Sequence, residues 1–176
     1  MEKIFKTIVT VSVFMAMWAI TGNAAETYVF KTYQLTNFSV DIPEEFNLSE
    51  GWSSETNLRF DSDARHEWDD GDEYSSSATI DIYEFDGTIE NLTEYANNMV
   101  WSVKALDEEC DDPIVEGNTA LLRSTSEVGD GYLINWRFLV VNTGGKIAGG
   151  TISYRGEEAK FYDGIVKPII QSIRFK

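Results

Sequence analysis

The chain has 176 residues, a formal net charge of −16 at pH 7, one cysteine and one histidine. This length is enough for one domain with a buried core, and the strong negative charge disfavours binding to nucleic acid or to an anionic membrane surface. A lone cysteine excludes an internal disulfide, and one histidine with one cysteine is too few for a typical zinc site.

The N-terminal segment predicts a secretory signal that is cleaved. Two lysines precede an apolar stretch over residues 8–20, and small residues then permit a cut after Ala25 or one residue earlier. An uncleaved anchor would need about 20 apolar residues. We therefore expect residues 1–25 to be removed and residues 26–176 to form a single domain, periplasmic or secreted, with no membrane anchor.

Alternating apolar residues predict strands in the first half of the domain. The predicted strands cover residues 28–35, 38–42, 57–60 and 78–83. Alternate residues of a strand share a face, so Phe38, Val40 and Ile42 can all face a core. Pro43 ends the second strand because it lacks a backbone N–H.

Residues 61–74 are polar and acidic, which indicates an exposed loop or the tip of a long hairpin. Carboxylates of this segment are candidate Ca²⁺ ligands, because Ca²⁺ prefers six to eight oxygen ligands. The candidates are Asp61, Asp63, Asp69, Asp70, Asp72 and Glu73. The spacing does not match an EF-hand loop, since Arg65 and His66 occupy its fifth and sixth positions, so a solvated acidic tip is the alternative.

Apolar residues at steps of three and four predict an amphipathic helix over residues 88–106. Thr88 can cap this helix, and Asn91 with Glu94 forms an alternative capping box. Residues 107–113 then predict a solvated acidic turn. A second helix begins at residues 157–158 and is ended or kinked by a proline at position 168.

The strongest structural signal is a hairpin over residues 131–154, preceded by a strand over residues 119–126 and followed, after the second helix, by a last strand at residues 173–175. Its first strand alternates apolar residues on one face, namely Tyr132, Ile134, Trp136, Phe138 and Val140. Gly144 and Gly145 permit the positive φ that a tight turn requires. Gly149 and Gly150 indicate a bulge or the close approach of another backbone.

This order of strands and helices predicts an α+β domain with an antiparallel β-sheet flanked by helices. The chain resembles the PsbP/Mog1-like superfamily in FSVDIPEEF, in TIENLTEYANNMV, in the hairpin GYLINWRFLVVNTGGKIAGGTISY and in the closing IIQSIRF. The resemblance implies an α/β/α sandwich. It also implies a protein that acts by binding other proteins, and it brings no shared active site.

Few side chains suggest chemistry. The sequence has no G-x-S-x-G motif, so His66 has no recognisable nucleophilic serine to activate as a catalytic base. The acidic neighbours of Cys110 disfavour a reactive thiolate, although a disulfide to another chain stays open. Trp52, Trp68 and His66 lie in loop-like segments and are candidate binding residues for a protein or a sugar ring. Trp101 and Trp136 are expected in the core.

Three functional hypotheses follow from these observations. The first is an exported, non-catalytic module that binds a protein in the cell envelope or outside the cell, without a cofactor. The second is a glycan- or Ca²⁺-binding accessory protein that uses the acidic segment and the loop tryptophans. The third is an enzyme with paired carboxylates, which stays open because a sequence gives no distances between acids.

Overall fold

The computed structural model describes residues 28–67, 71, 73–87, 91–129 and 131–176, so the predicted signal segment lies outside the described residues. The described helices are α1 (Leu92–Lys104) and α2 (Ala159–Gln171). The described strands, in chain order, are β1 (Phe30–Gln34), β2 (Phe38–Pro43), β3 (Phe46–Leu48), β4 (Asn57–Ser62), β5 (Arg65–Glu67), β6 (Glu73–Ser75), β7 (Thr79–Asp86), β8 (Glu109–Cys110), β9 (Ile114–Glu116), β10 (Thr119–Val128), β11 (Gly131–Val141), β12 (Lys146–Arg155) and β13 (Arg174–Phe175).

Most strands belong to one large antiparallel sheet with the order β3-β4-β7-β12-β11-β10-β8, in which β9 also pairs with β10. A small sheet has the order β1-β2-β13, and β5 and β6 form a separate hairpin. The predicted α+β architecture, an antiparallel sheet flanked by helices, is confirmed. Among the described residues, no helix has the length and apolar character needed to cross a bilayer.

The predicted central hairpin forms, with β11 and β12 paired from Leu133 opposite Arg155 to Val141 opposite Ile147. Three of the five predicted core residues of β11 are fully buried, namely Ile134, Phe138 and Val140. Trp136 is partly buried, packs against this core and donates from Nε1 to the Tyr154 hydroxyl at 2.7 Å. Tyr132 does not reach the core, because its ring lies at the open end of the hairpin over Gly156.

Glycines let the hairpin turn tightly and let side chains cover its backbone. Gly145 has a φ of 75°, as predicted for the turn. A Cβ on Gly150 would lie 2.4 Å from the carbonyl oxygen of Asp81 and 2.5 Å from the Phe138 ring. The predicted close backbone approach is therefore found at Gly150, whereas Gly149 is approached by the Tyr83 and Leu139 side chains, and the pairing of β11 with β12 continues through both without a bulge.

The first face of the large sheet carries the main core, which α2 and the small sheet cover. Its buried members include Ile80, Ile82, Phe138 and Ile152 of the sheet, Phe38, Val40 and Ile42 of β2, and Tyr162, Ile165, Val166 and Ile169 of α2. The residues of β2 and Phe138 of β11 lie on the faces that the alternation of apolar residues predicted. The hydrophobic effect of their burial is the main force that holds α2 on the sheet.

The second face of the large sheet carries α1. The buried side chains on this face are Ala96 and Val103 of α1, Ala120 and Leu122 of β10, Leu139 of β11 and Ile147 of β12. The helix packs against β10, β8 and β9 at one side of the sheet. The helix α1 does not extend over β12, β7 and β4, so one part of this face is covered by the helix and the other part is not. The candidate site lies at the boundary between the two parts.

The structure differs from the sequence prediction in several short segments. The helix α2 begins after one turn of 3₁₀ helix and continues to Gln171, so Pro168 does not end it. Pro168 lacks only its own N–H, while its carbonyl accepts from the Ser172 amide at 3.0 Å and Ile169 and Ile170 bury the last turn. The strands β3, β8 and β9 have two or three residues each, too few for a periodic pattern.

Candidate functional site

The helix α1 defines one wall of the candidate site. Asn91 accepts a hydrogen bond from the backbone N–H of Glu94 at 3.1 Å, so Asn91 is the N-cap, as the alternative prediction had it. Thr88, the other predicted cap, lies outside the described residues. Only Ala96 and Val103 of α1 are fully buried, so the helix rests on the sheet along a narrow strip.

A groove of about 260 Å³ runs along one flank of α1 above the sheet, and we call it the α1 groove. Its lining residues are Tyr95, Asn98, Met99, Ser102, Val103, Leu106 and Arg137. Leu106 is 69% exposed, and Tyr95 is also exposed. An exposed apolar strip of this kind commonly marks a binding surface.

Trp101 lies on a different flank of α1. Each helical residue turns by about 100°, which places Trp101 about 120° away from Tyr95 around the axis. Its side chain is 73% exposed, so the prediction that Trp101 belongs to the core is wrong. Around the helix axis, Trp101 lies about 140° from Ala96 and about 160° from Val103, the two buried residues of α1, so it faces away from the sheet.

The floor of the α1 groove is a fixed ion pair. Arg137 donates from Nη2 to Glu108 Oε1 at 2.8 Å and from Nη1 to Glu108 Oε2 at 2.9 Å, and it also contacts Ser124 Oγ. Burial alone would raise the pKa of the Glu108 carboxyl, but the hydrogen bonds from Arg137 and Ser124 outweigh it and hold that pKa below its ordinary value. The predicted solvated turn at residues 107–113 therefore contains a partly buried pair, because β11 places Arg137 beneath it.

Tyr83 extends the aromatic surface beyond the groove. Its side chain is 39% exposed, and its ring lies over Gly149, where a Cβ would come within 2.5 Å of ring carbon Cε2. Burial raises the pKa of the Tyr83 hydroxyl and Tyr95 raises it further, while Arg137 opposes both. The phenol therefore stays un-ionised at neutral pH and presents a neutral polar edge to a ligand.

Arg59 links two carboxylates on the uncovered part of the second face. Its Nε lies 3.2 Å from Asp61 Oδ1, and its Nη1 lies 3.6 Å from Asp81 Oδ2. Burial raises the pKa of Asp81 by more than Arg59 lowers it, and Asp61 raises it further. The site as a whole combines an apolar groove, paired charges and the neutral phenol of Tyr83, which suits the binding of side chains better than proton transfer.

The structure is similar to that of the Saccharomyces cerevisiae Ran-binding protein Mog1p, with a TM-score of 0.59 and 13% sequence identity, over 84% of this chain and 96% of Mog1p. It is also similar to the solution structure of cyanobacterial PsbP (CyanoP) from Synechocystis sp. PCC 6803, with a TM-score of 0.59 and 12% identity, over 90% of this chain and 98% of CyanoP. The chain has the PsbP/Mog1-like fold. No protein-family model matches the sequence, and no curated protein sequence matches it significantly.

In this PsbP/Mog1-like fold, the predicted binding residue Trp52 lies far out on the surface. It ends a 3₁₀ turn at Glu50–Trp52, is 74% exposed, and has the Arg59 guanidinium 6.0 Å from its ring centroid. Trp68, its predicted companion, lies outside the described residues. The binding role of Trp52 stays a prediction that its exposure favours.

His66 is directed towards α2 from strand β5. Its ring stacks on Phe161 with centroids 3.9 Å apart, and its Nε2 lies 3.0 Å from the hydroxyl of the buried Tyr162. The Tyr162 hydroxyl also contacts Ser62 Oγ at 3.0 Å and donates to Ser76 Oγ at 2.8 Å. We conclude that His66 attaches the β5–β6 hairpin to α2.

The hydroxyl beside His66 is not activated as a nucleophile. Burial raises the pKa of Tyr162 to about 12, with contributions from Glu45 and Glu158, although the hydrogen bonds of Ser62 and Ser76 oppose the shift. An un-ionised phenol inside the core is a structural hydrogen-bond partner. The sequence did not predict this cluster, because His66 and Tyr162 are 96 positions apart.

Two predicted Ca²⁺ ligands are described with their side chains, and both have protein partners. Asp61 contacts Arg59, and Asp63 accepts from Asn47 Nδ2 at 2.6 Å. Asp69, Asp70 and Asp72 lie outside the described residues, as does the side chain of Glu73. Within the described part of the chain, no three His, Cys, Asp or Glu side chains lie together as metal ligands would.

The α1 groove and its floor were not predicted from the sequence. Tyr95 and Met99 belong to the apolar side of the helix, but the spacing of apolar residues does not say which part of that side the sheet covers. The available signal was the width of the apolar stripe together with Tyr83, an aromatic residue on the strand face opposite Ile80 and Ile82. Cys110 is a partly buried thiol on β8, at the edge of the sheet, and a disulfide to another chain stays a prediction.

Proposed function

We propose that the chain is an exported, non-catalytic module that binds a protein of the cell envelope through the α1 groove. The observation that carries this proposal is the exposed apolar surface beside α1, formed by Tyr95, Met99 and Leu106 above a fixed ion pair. Such a surface, apolar at its centre with polar groups around it, has the composition of a protein interface. The fold, shared with a Ran-binding protein, supports the same class of function.

Photo-cross-linking in the native host tests this function. A photo-reactive amino acid replaces Leu106 in the groove, and in a control chain it replaces Lys167, which is exposed on α2. We expect a discrete cross-linked protein in the envelope fraction from position 106 only. The absence of a product from position 106, or the same product from both positions, would contradict binding through the groove.

Export has its own test. The proposal requires the mature chain to begin at Glu26 or one residue earlier and to be released with the periplasmic or secreted fraction. N-terminal sequencing of the protein purified from its native host gives the cleavage position directly. A mature protein that keeps residues 1–25, or that stays with the cytosol, would contradict this part of the proposal.

A second candidate function is glycan binding at Trp52. The indole is 74% exposed, with the Arg59 guanidinium 6.0 Å from its ring centroid, and an exposed aromatic ring of this kind offers a surface on which a sugar ring can stack. A glycan array with the wild type and Trp52→Ala tests it, and calorimetry with Ca²⁺ tests the Ca²⁺-dependent form that the acidic segment 61–74 suggests. A glycan signal that Trp52→Ala leaves unchanged would remove this candidate.

A further inference from the structure

Carboxylates outnumber basic groups on the surface around the α1 groove. The described acidic side chains there are Asp61, Asp81 and Glu108, with Asp107 next to Leu106 in the turn that follows α1, and the described basic ones are Arg59 and Arg137. Both guanidinium groups already pair with carboxylates of the same surface. The remaining charge is negative, and it has the same sign as the net charge of −16 on the chain.

The uncovered sheet beside α1 has the dimensions of a helix seat. From Tyr95 to Leu106 the groove extends along α1 for about 16 Å, since a helix rises about 1.5 Å per residue. Neighbouring strands lie about 4.8 Å apart, so β11, β12 and β7 together offer a width of about 10 Å, similar to the diameter of a helix. A second helix could therefore pack beside α1 on the same face.

Apolar and charged groups occupy different parts of this seat. The apolar side chains Tyr95, Met99 and Leu106 line the wall formed by α1, whereas Asp81 lies two strands away from Arg137 across the open sheet. A partner that satisfies both parts has apolar residues along one side and cationic residues beside them. An amphipathic helix provides this arrangement at steps of three and four residues.

We infer that the α1 groove holds a basic amphipathic helix of the partner protein. Its apolar stripe packs on Tyr95, Met99 and Leu106, and its lysine or arginine side chains face Asp81 and Asp107. The inference rests on the proposed function and specifies the chemistry of the partner. It does not apply to nucleic acid or to anionic lipid, which the charge of this surface repels.

Binding of synthetic peptides to the mature chain tests the inference. The probe is a labelled peptide of about 18 residues with leucine at helical spacing and lysine elsewhere on one side, and its matched control has glutamate at every lysine position. Fluorescence anisotropy gives both dissociation constants. We expect the lysine peptide to bind at least about tenfold more tightly, and its affinity to fall as the salt concentration rises.

Two substitutions on α1 and the turn after it separate the groove from general charge attraction. Leu106→Asp and Trp101→Asp each add one negative charge at a similarly exposed position, on different flanks of the helix. General attraction would strengthen binding of the lysine peptide to both variants. We expect Leu106→Asp to weaken binding by roughly tenfold and Trp101→Asp to leave it unchanged or slightly stronger.

Asp107→Asn tests the charge requirement without disturbing the backbone. Asp107 has a φ of 58°, which asparagine also tolerates, so this variant removes a charge and keeps the turn. We expect this variant to bind the lysine peptide about threefold more weakly than the wild type and to bind the glutamate peptide with unchanged affinity. Circular dichroism with thermal unfolding confirms that each variant is folded.

Each remaining outcome decides against the inference. Equal binding of the two peptides, no binding of either, or equal loss in Leu106→Asp and Trp101→Asp would overturn the assignment of a basic helix to the groove. The proposed function fails separately, by the absence of a cross-linked protein from position 106. If position 106 gives a cross-linked protein but the lysine and glutamate peptides bind equally, the protein-binding function stands and only the assignment of a basic helix is removed.

Discussion

The two helices have the same length of 13 residues and lie on opposite faces of one sheet, yet they bury different amounts of side chain. The helix α2 buries Tyr162, Ile165, Val166, Ile169 and Ile170, whereas α1 buries only Ala96 and Val103. Because burial of apolar surface is the main source of stability, α2 completes the core and α1 contributes less to it. The side chains that α1 leaves in solvent are therefore available to a partner.

The largest test of this comparison removes one buried side chain from α2. Ile169→Ala should lower the free energy of unfolding by about 3 kcal/mol, because it opens a cavity in a fully buried site. Trp101→Ala on α1 removes a larger side chain but should cost less than about 0.5 kcal/mol, since that side chain is mostly exposed. Urea unfolding followed by circular dichroism measures both. Similar losses would mean that α1 is as much a part of the core as α2.

The hydroxyl cluster on α2 gives the next largest expected effect. Tyr162→Phe removes one hydrogen bond from each of Ser62, Ser76 and His66 and should cost about 2 kcal/mol, because these bonds lie in a partly buried cluster. Tyr95→Phe, the matched change on α1, should change stability by less than about 0.5 kcal/mol. Urea unfolding again compares them. If Tyr162→Phe has the same free energy of unfolding as the wild type, His66 does not attach the hairpin through this hydroxyl.

The ion pair beneath α1 should make its contribution depend on pH. Glu108→Gln should cost about 1.5 kcal/mol at neutral pH, because it replaces a charge-assisted bidentate contact with Arg137. The pKa of Glu108 is lowered in the folded chain, so its stabilisation is present above the ordinary value of 4.5 and is lost as pH falls below it. The difference between wild type and variant should therefore shrink on acidification. Urea unfolding at a series of pH values measures it, and Glu127→Gln, at an exposed position, is the control.

The smallest expected effects are equal on the two helices and concern their exposed sides. Gly164→Ala should stabilise the chain by about 0.7 kcal/mol, because glycine is a poor helix residue and a Cβ at position 164 would meet no atom within 4 Å. Ser102→Ala on α1 should give a similar gain of about 0.5 kcal/mol. Thermal unfolding detects both as higher midpoints. A large difference between the two stability gains would mean that the helices differ in the stability of their backbones and not only in how many side chains they bury.

Much of the fold could be predicted from local pattern, because the elements that form the core are long and strongly periodic. The alternation in residues 131–141 and the three- and four-residue steps of both helices state which side of each element is apolar. Short strands such as β8 and β9 carry no such signal, since two or three residues do not define a period. Of the two outcomes predicted for Pro168, the end of the helix is wrong, because neighbours in space stabilise the last turn of α2.

The candidate site could not be predicted in the same way. Arg137 and Glu108 are 29 positions apart, and His66 and Tyr162 are 96 positions apart. Residues so far apart in the chain form no local pattern from which either contact could be predicted. Trp101 and Leu106 both look like core residues in a list of apolar positions. Their exposure depends on how α1 is placed and turned on the sheet, and this placement is set by its packing against β10, β8 and β9.

The sequence by itself determined the α+β class, the central hairpin, the glycines that it requires and the apolar side of each long element, because these are set by chain geometry at short range. Only the tertiary structure decided that α2 closes one face of the sheet while α1 leaves the other partly open, and that His66 is directed inward to Tyr162. The physical reason is that burial is a property of two surfaces in contact. A single periodic segment shows that it has an apolar side, but the area of the opposing surface decides how much of that side is covered.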